Sequence, residues 1–161
     1  MKKYLILLFL LSALFSLPGQ AAGAPVTRGE FTLLLWESQG AVPFDKTAHP
    51  FSDLPEDGEA QAAAWAYCEG LVLGVGDGLF APDRPLTRQE CAVLLRRLDA
   101  RLGRDTFLPA GPSLCNDYED TTPWAGDDLY WACITTRMPW QDNRLAPGDT
   151  VSLPLAQSLL E

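Results

Sequence analysis

Two arginines hold the same place in a phrase that occurs twice. Val26-Thr27-Arg28-Gly29-Glu30-Phe31 returns sixty residues later as Leu86-Thr87-Arg88-Gln89-Glu90-Cys91, each time opening an apolar helical run. Thr-x-x-Glu at a helix start is explained locally: the Thr hydroxyl accepts the Glu N–H and the Glu carboxylate reaches back to the Thr N–H. The Arg between them has no such local reason, and a cation in the first turn opposes the helix dipole. Arg28 and Arg88 are therefore the first candidates for chemistry. A weaker third copy, Val151-Ser152-Leu153-Pro154-Leu155-Ala156, keeps a hydroxyl cap but has neither Arg nor Glu. It is expected to be purely structural.

Other reactive groups point nowhere as sharply. Cys68, Cys91, Cys115 and Cys133 contain no C-x-x-C pair and the only histidine is His49, so a zinc site is not expected. An even number of cysteines in an exported chain allows two disulfides in three pairings. Cys68 to Cys91 and Cys115 to Cys133 are favoured, because each would tie an outer helix to a neighbouring segment. The alternative is that all four are small buried residues, which Cys91 supports by standing where Phe31 stands in the first copy. The turn from Asp77 to Asp83 fills its middle with Leu79, Phe80, Ala81 and Pro82, where a calcium loop would alternate oxygen ligands. Its aspartates are expected to make turns and caps. Carboxylates are too abundant to single out an acid pair, and His49 has no nucleophile motif, so no enzyme is expected and no cofactor.

Elements must position the arginines. After Thr87, the residues Cys91, Leu94, Leu95, Leu98 and Leu102 form one apolar stripe of helical period, with Arg96, Arg97 and Arg101 off it. The first copy gives Phe31, Leu34 and Leu35 and stops near Gly40; the third begins at Ser152 and is still running at Glu161. Two outer helices are expected near Glu59 to Leu73 and Asp127 to Met138. Gly, Pro and Asp crowd the connections between them. Narrow stripes of this kind must pack on one another, giving an all-α fold.

Longer correspondences place the repeats in order. Gly74-Val75-Gly76-Asp77-Gly78-Leu79-Phe80-Ala81-Pro82-Asp83-Arg84-Pro85 precedes the second copy, and Trp140 to Thr150 precedes the third at a constant offset of 65. Phe51-Ser52-Asp53 is echoed by Tyr118-Glu119-Asp120. The order F-x-D, helix with A-W-A, G-x-G-D-G-x-F-x-P-D, then T-R-x-E helix resembles the S-layer homology domain of bacterial surface proteins, over nearly all of residues 26 to 161. The resemblance implies a central bundle of three T-R-x-E helices with outer helices and loops as lobes, here an orphan core helix (26–40), a motif over 51–103 and a motif over 118–161. It implies non-covalent attachment to secondary cell-wall polysaccharide, often carrying pyruvate ketals. Arg28 and Arg88 match the family's ligand-contacting arginine. By the same resemblance Asp53, Asp120 and glycines such as Gly76 line grooves between motifs. Trp65, Trp124, Trp131 and Trp140 are candidate platforms for a sugar ring, the competing role for each being core packing.

Export fits this. Lys2 and Lys3, the apolar run Leu5 to Phe15, and the small residues before Ala24 read as a signal peptide over residues 1–23, too short for a membrane span. The chain carries 12 basic and 21 acidic side chains; without Lys2 and Lys3 the balance falls from −9 to −11. Nucleic acid and anionic membrane are disfavoured as partners. The expected location is the bacterial cell wall or surface, the expected partner cell-wall polysaccharide, and the alternative a surface domain that binds other surface proteins.

Overall fold

The computed structural model describes residues 23–56, 58–108, 111 and 115–161. The leader expected over residues 1–23 lies, apart from Gly23, outside them. The all-α expectation holds: among the described residues five α-helices form, α1 (Arg28–Ser38), α2 (Gly58–Cys68), α3 (Arg88–Arg101), α4 (Gly126–Ile134) and α5 (Leu153–Ser158). Both capping boxes close, with Glu30 N donating to Thr27 Oγ1 at 3.1 Å and Thr27 N to Glu30 Oε2 at 2.8 Å. Thr87 and Glu90 repeat the pair. Ser152 caps α5 through the Leu155 N–H.

The outer helices are shorter than their periodicity suggests. Gly70 adopts φ +71° and the N–H groups of Leu71 and Val72 fold back onto Ala66 O, ending α2. Thr136 at φ +60° and Met138 N on Ala132 O end α4 the same way. Apolar residues beyond these points, Leu71, Val72 and Met138, stay buried, so burial continues after helicity stops. Likewise α5 ends at Ser158 rather than running on to Glu161.

The three copies of the phrase meet at one point. Val26 N donates to Val151 O at 2.8 Å, Leu86 N to Val26 O at 2.9 Å, and Val151 N to Leu86 O at 2.9 Å. These three residues have 0% exposure, so no water is available and each N–H and C=O needs a protein partner. A closed cycle satisfies all of them. A second cycle surrounds the first: Arg28 N bonds Arg84 O, Arg88 N bonds Asp149 O, and Leu153 N bonds Ala24 O. The third copy, though lacking Arg and Glu, is thus required to close the ring. Below it Phe31 and Leu35 of α1, Cys91, Leu94, Leu95 and Leu98 of α3, and Ala156 and Leu159 share one core. Each fully buried Leu or Phe contributes roughly 1.5–3 kcal/mol.

Each outer helix packs chiefly on the core helix of the preceding copy. α2 packs on α1 and α4 on α3. The alanines of α2 (Ala60, Ala62, Ala63, Ala64, Ala66) are buried and permit close approach, and Glu59 sits against the bare Cα of Gly29. Neighbouring motifs therefore interlock, and the joints between them hold the arginines.

Candidate functional site

Each joint is a turn gripped from two sides. In the first, Asp53 accepts Phe80 N at 2.8 Å and Ala81 N at 2.7 Å, while Arg28 Nε donates to Phe80 O at 3.1 Å and its guanidinium lies 5.0 Å from the Phe80 ring centre. Gly74 makes the turn possible: it has φ +81°, and a Cβ there would lie 2.6 Å from Leu79 O and 2.7 Å from the Phe51 ring. In the second joint Arg88 Nε donates to Leu145 O at 2.8 Å and Arg88 Nη2 to Pro139 O at 2.9 Å. There the carboxylate is Asp117, accepting Leu145 N at 2.7 Å and Ala146 N at 2.9 Å.

This corrects the register of the second F-x-D. Its counterpart is Cys115-Asn116-Asp117, not Tyr118-Glu119-Asp120: Ser52 N bonds Gly78 O at 2.9 Å and Asn116 N bonds Asn143 O at 2.9 Å. Cys115 stands where Phe51 stands, which hid the match behind the aromatic Tyr118. Asp120 ends a 3-10 helix (Tyr118–Asp120) and is exposed.

The arginines are therefore neither solvated nor waiting freely for a ligand. Arg28 is 7% and Arg88 9% exposed, and each staples the loop of the following motif. Burial pushes the Arg28 guanidinium below its ordinary range, an effect that the neighbouring Glu90 carboxylate opposes. Both side chains also line concave surface. Arg28 lines a groove of about 420 Å³ with Leu73, Gly74, Arg84, Glu90, Arg97 and Trp124. Arg88 lines a wider one of about 780 Å³ with Asp117, Asp120, Trp140, Asp142, Arg144 and Asp149.

The first groove is organised around Glu90. Its Oε2 accepts from Thr87 N at 3.2 Å and Thr87 Oγ1 at 2.9 Å, and its Oε1 faces Arg28 Nη1 at 3.4 Å and pairs closely with Arg84. Arg97 is held by Leu71 O at 2.8 Å. Trp124 is 57% exposed at the wall and Leu73 70% exposed beside it, an unusual apolar rim on so acidic a chain. Such a surface can take an anionic group on the guanidiniums and an apolar ring face on the indole.

Several expected site residues fall elsewhere. Trp65 and Trp131 are core residues at 7% and 2% exposure, with Arg96 lying 5.6 Å from the Trp131 ring. Gly76 is at the exposed tip of the turn, with open space around it, and Asp53 is spent on the backbone. Neither favoured disulfide is present; all four cysteines are free. Cys68 is exposed with its thiol on Ala48 O, whereas Cys91 is sealed among the core helices. Cys115 and Cys133 replace residues of the type of Phe51 and Tyr67, whose rings meet edge-on at 5.4 Å in the preceding motif. Cys133 instead faces Arg88 Nη2 at 3.7 Å. Arg84, Glu90, Arg97 and Asp117 were missed as site residues, whereas Gly74 belongs to the glycine turn expected along the groove. A signal existed for Arg84, which aligns with Asp149 in the otherwise parallel turns, and for Arg97, which lies off the apolar stripe.

Residues 50–92 match the S-layer homology domain. The chain is 30% identical over 113 residues to an endoglucanase of Bacillus sp. (strain KSM-635), an alignment that covers 70% of this chain and 12% of that protein. The matched segment carries the turn of the first joint with its Asp53 grip, from Phe51 through the glycine turn to the Thr87–Glu90 cap, and leaves out Arg28; over these residues the chain is similar to the S-layer homology domain family.

Proposed function

We propose that this protein is a non-catalytic cell-surface anchoring module that holds secondary cell-wall polysaccharide without covalent chemistry, gripping acidic groups such as pyruvate ketals in its inter-motif grooves. The family match over residues 50–92 supports the coarser part, attachment at the cell surface. The finer part is supported by one observation: a groove in which Arg28, Arg84 and Arg97 gather beside an exposed Trp124, on a chain whose net charge of −9 would otherwise repel an acidic polymer. Attraction there is local, as it must be when the long-range field has the wrong sign. The name of the endoglucanase relative carries no activity to a chain that spans 12% of it. Export to the wall belongs to the same proposal.

Co-sedimentation with purified sacculi tests it. The protein is expected in the pellet with intact sacculi and in the supernatant with sacculi stripped of secondary polymer by hydrofluoric acid. Equal pelleting with both would favour a surface-protein or peptidoglycan partner and remove the polysaccharide reading.

A further inference from the structure

The two grooves overlap at equivalent positions of successive repeats, and one of those positions reverses its charge. Backbone hydrogen bonds establish the equivalence independently of any alignment. Arg28 N donates to Arg84 O at 2.9 Å and Arg88 N to Asp149 O at 2.8 Å; Gly29 N donates to Pro82 O and Gln89 N to Pro147 O. Arg84 and Asp149 are thus one structural position, a guanidinium in the first groove and a carboxylate in the second. The charged side chains lining the first groove are Arg28, Arg84, Arg97 and Glu90, and those lining the second are Arg88, Arg144, Asp117, Asp120, Asp142 and Asp149. Of the equivalent positions that line both, Arg28/Arg88 keeps its charge and Arg84/Asp149 reverses it.

The availability of the cations differs as well. Arg88 spends Nε on Leu145 O and Nη2 on Pro139 O, and Arg144 leans toward Asp117 at 3.9 Å. Arg84 rests on Glu90 with 47% of its side chain exposed, so it can turn to an incoming anion without breaking into the core. We infer that the carboxylate of an acidic saccharide enters the first groove alone, that Arg84 selects that groove, and that Asp149 closes the second to anions. This rests on the polysaccharide reading above and adds to it a stoichiometry of one and a residue that sets it. Trp124 is the ring platform, and the half-buried Trp140 of the second groove remains bare.

The five tryptophans supply local reporters. The probe is a methyl hexoside carrying a 4,6-linked pyruvate ketal, titrated into ¹⁵N-labelled protein while the assigned indole N–H signals are followed. The Trp124 signal should move saturably to a stoichiometry of one, with Trp140 unmoved. Arg84→Ala should weaken that titration about tenfold or more, as expected for a lost hydrogen bond to a charged group, while Arg144→Ala leaves it unchanged. Asp149→Arg, at an exposed position, should make Trp140 respond as well. Movement of Trp140 in the wild type at the same concentrations, an unaffected Arg84→Ala, or a silent Trp140 in folded Asp149→Arg would each overturn the assignment. If the ketal moves none of the five signals, the carboxylate reading of the anchoring function itself fails, a result distinct from binding in both grooves.

Discussion

Replacing Arg88 with alanine should cost this domain more stability than removing the cap beside it. The guanidinium, 9% exposed, donates to Leu145 O at 2.8 Å and to Pro139 O at 2.9 Å. Each bond from a charged donor is worth about 1.5–3 kcal/mol, and the truncation also leaves the buried Leu145 carbonyl without that donor. Because both bonds belong to one side chain they do not add fully, and a net loss of about 3 kcal/mol is expected. Thr87→Ala removes only an N-cap and should cost about 1 kcal/mol. At this chain length, about 3–4 °C per kcal/mol gives roughly 10 °C for Arg88→Ala. Arg88→Lys should recover little, since one compact ammonium cannot bridge two carbonyls. Urea unfolding of the three variants, with midpoints and slopes compared, is the assay. A loss for Arg88→Ala no larger than for Thr87→Ala would refute the staple and return the arginine to a role in ligand contact alone.

Asp117→Ala should destabilise by about 2–4 kcal/mol through two lost backbone bonds, and Asp120→Ala by less than about 0.5 kcal/mol; the reverse order in a melting comparison would restore the Tyr118-Glu119-Asp120 register. Gly74→Ala should be several-fold more damaging than Gly76→Ala, since both have positive φ but only Gly74 meets Leu79 O and the Phe51 ring within 2.7 Å. Equal unfolding midpoints would show that backbone conformation, not contact, governs the turn. With an alkylating reagent at pH 8, Cys68 should react first, while Cys133, pushed up to about 11 by burial, and the sealed Cys91 should wait for unfolding. Mass spectrometry of the alkylated chain, denatured without reductant, should count four labels; two or none would mean that bridges form.

The helices were readable because their causes are local. Thr27, Glu30, Thr87 and Glu90 signal caps on their own, and the stripe from Cys91 to Leu98 has a period that needs no tertiary context. Helix ends were read too far out where apolar residues such as Val72 and Met138 remain buried after the chain has left the helix. The site was legible only in part. Arg28 and Arg88 could be recognised as residues without a local role, but their partners, Phe80 O and Leu145 O, are backbone atoms more than fifty residues away and leave no mark on side-chain pattern. The second F-x-D was misplaced because Cys115 broke the aromatic pattern while Tyr118 three positions on supplied a decoy. Trp65 and Trp124 are the same residue type on opposite sides of the question, and only packing separates them: one is 7% exposed within the shared core, the other stands 57% exposed at the groove.

Anchoring depends on the first groove holding the wall polymer, and Arg84 and Arg97 are the residues through which to test it, being less buried than the stapling arginines. The measurement is co-sedimentation of Arg84→Glu/Arg97→Glu with intact sacculi at physiological salt, on protein whose helical spectrum and melting temperature match the wild type. Loss of the variant from the pellet is the predicted result. Retention at the wild-type level by that folded double variant would contradict the groove as the anchoring site.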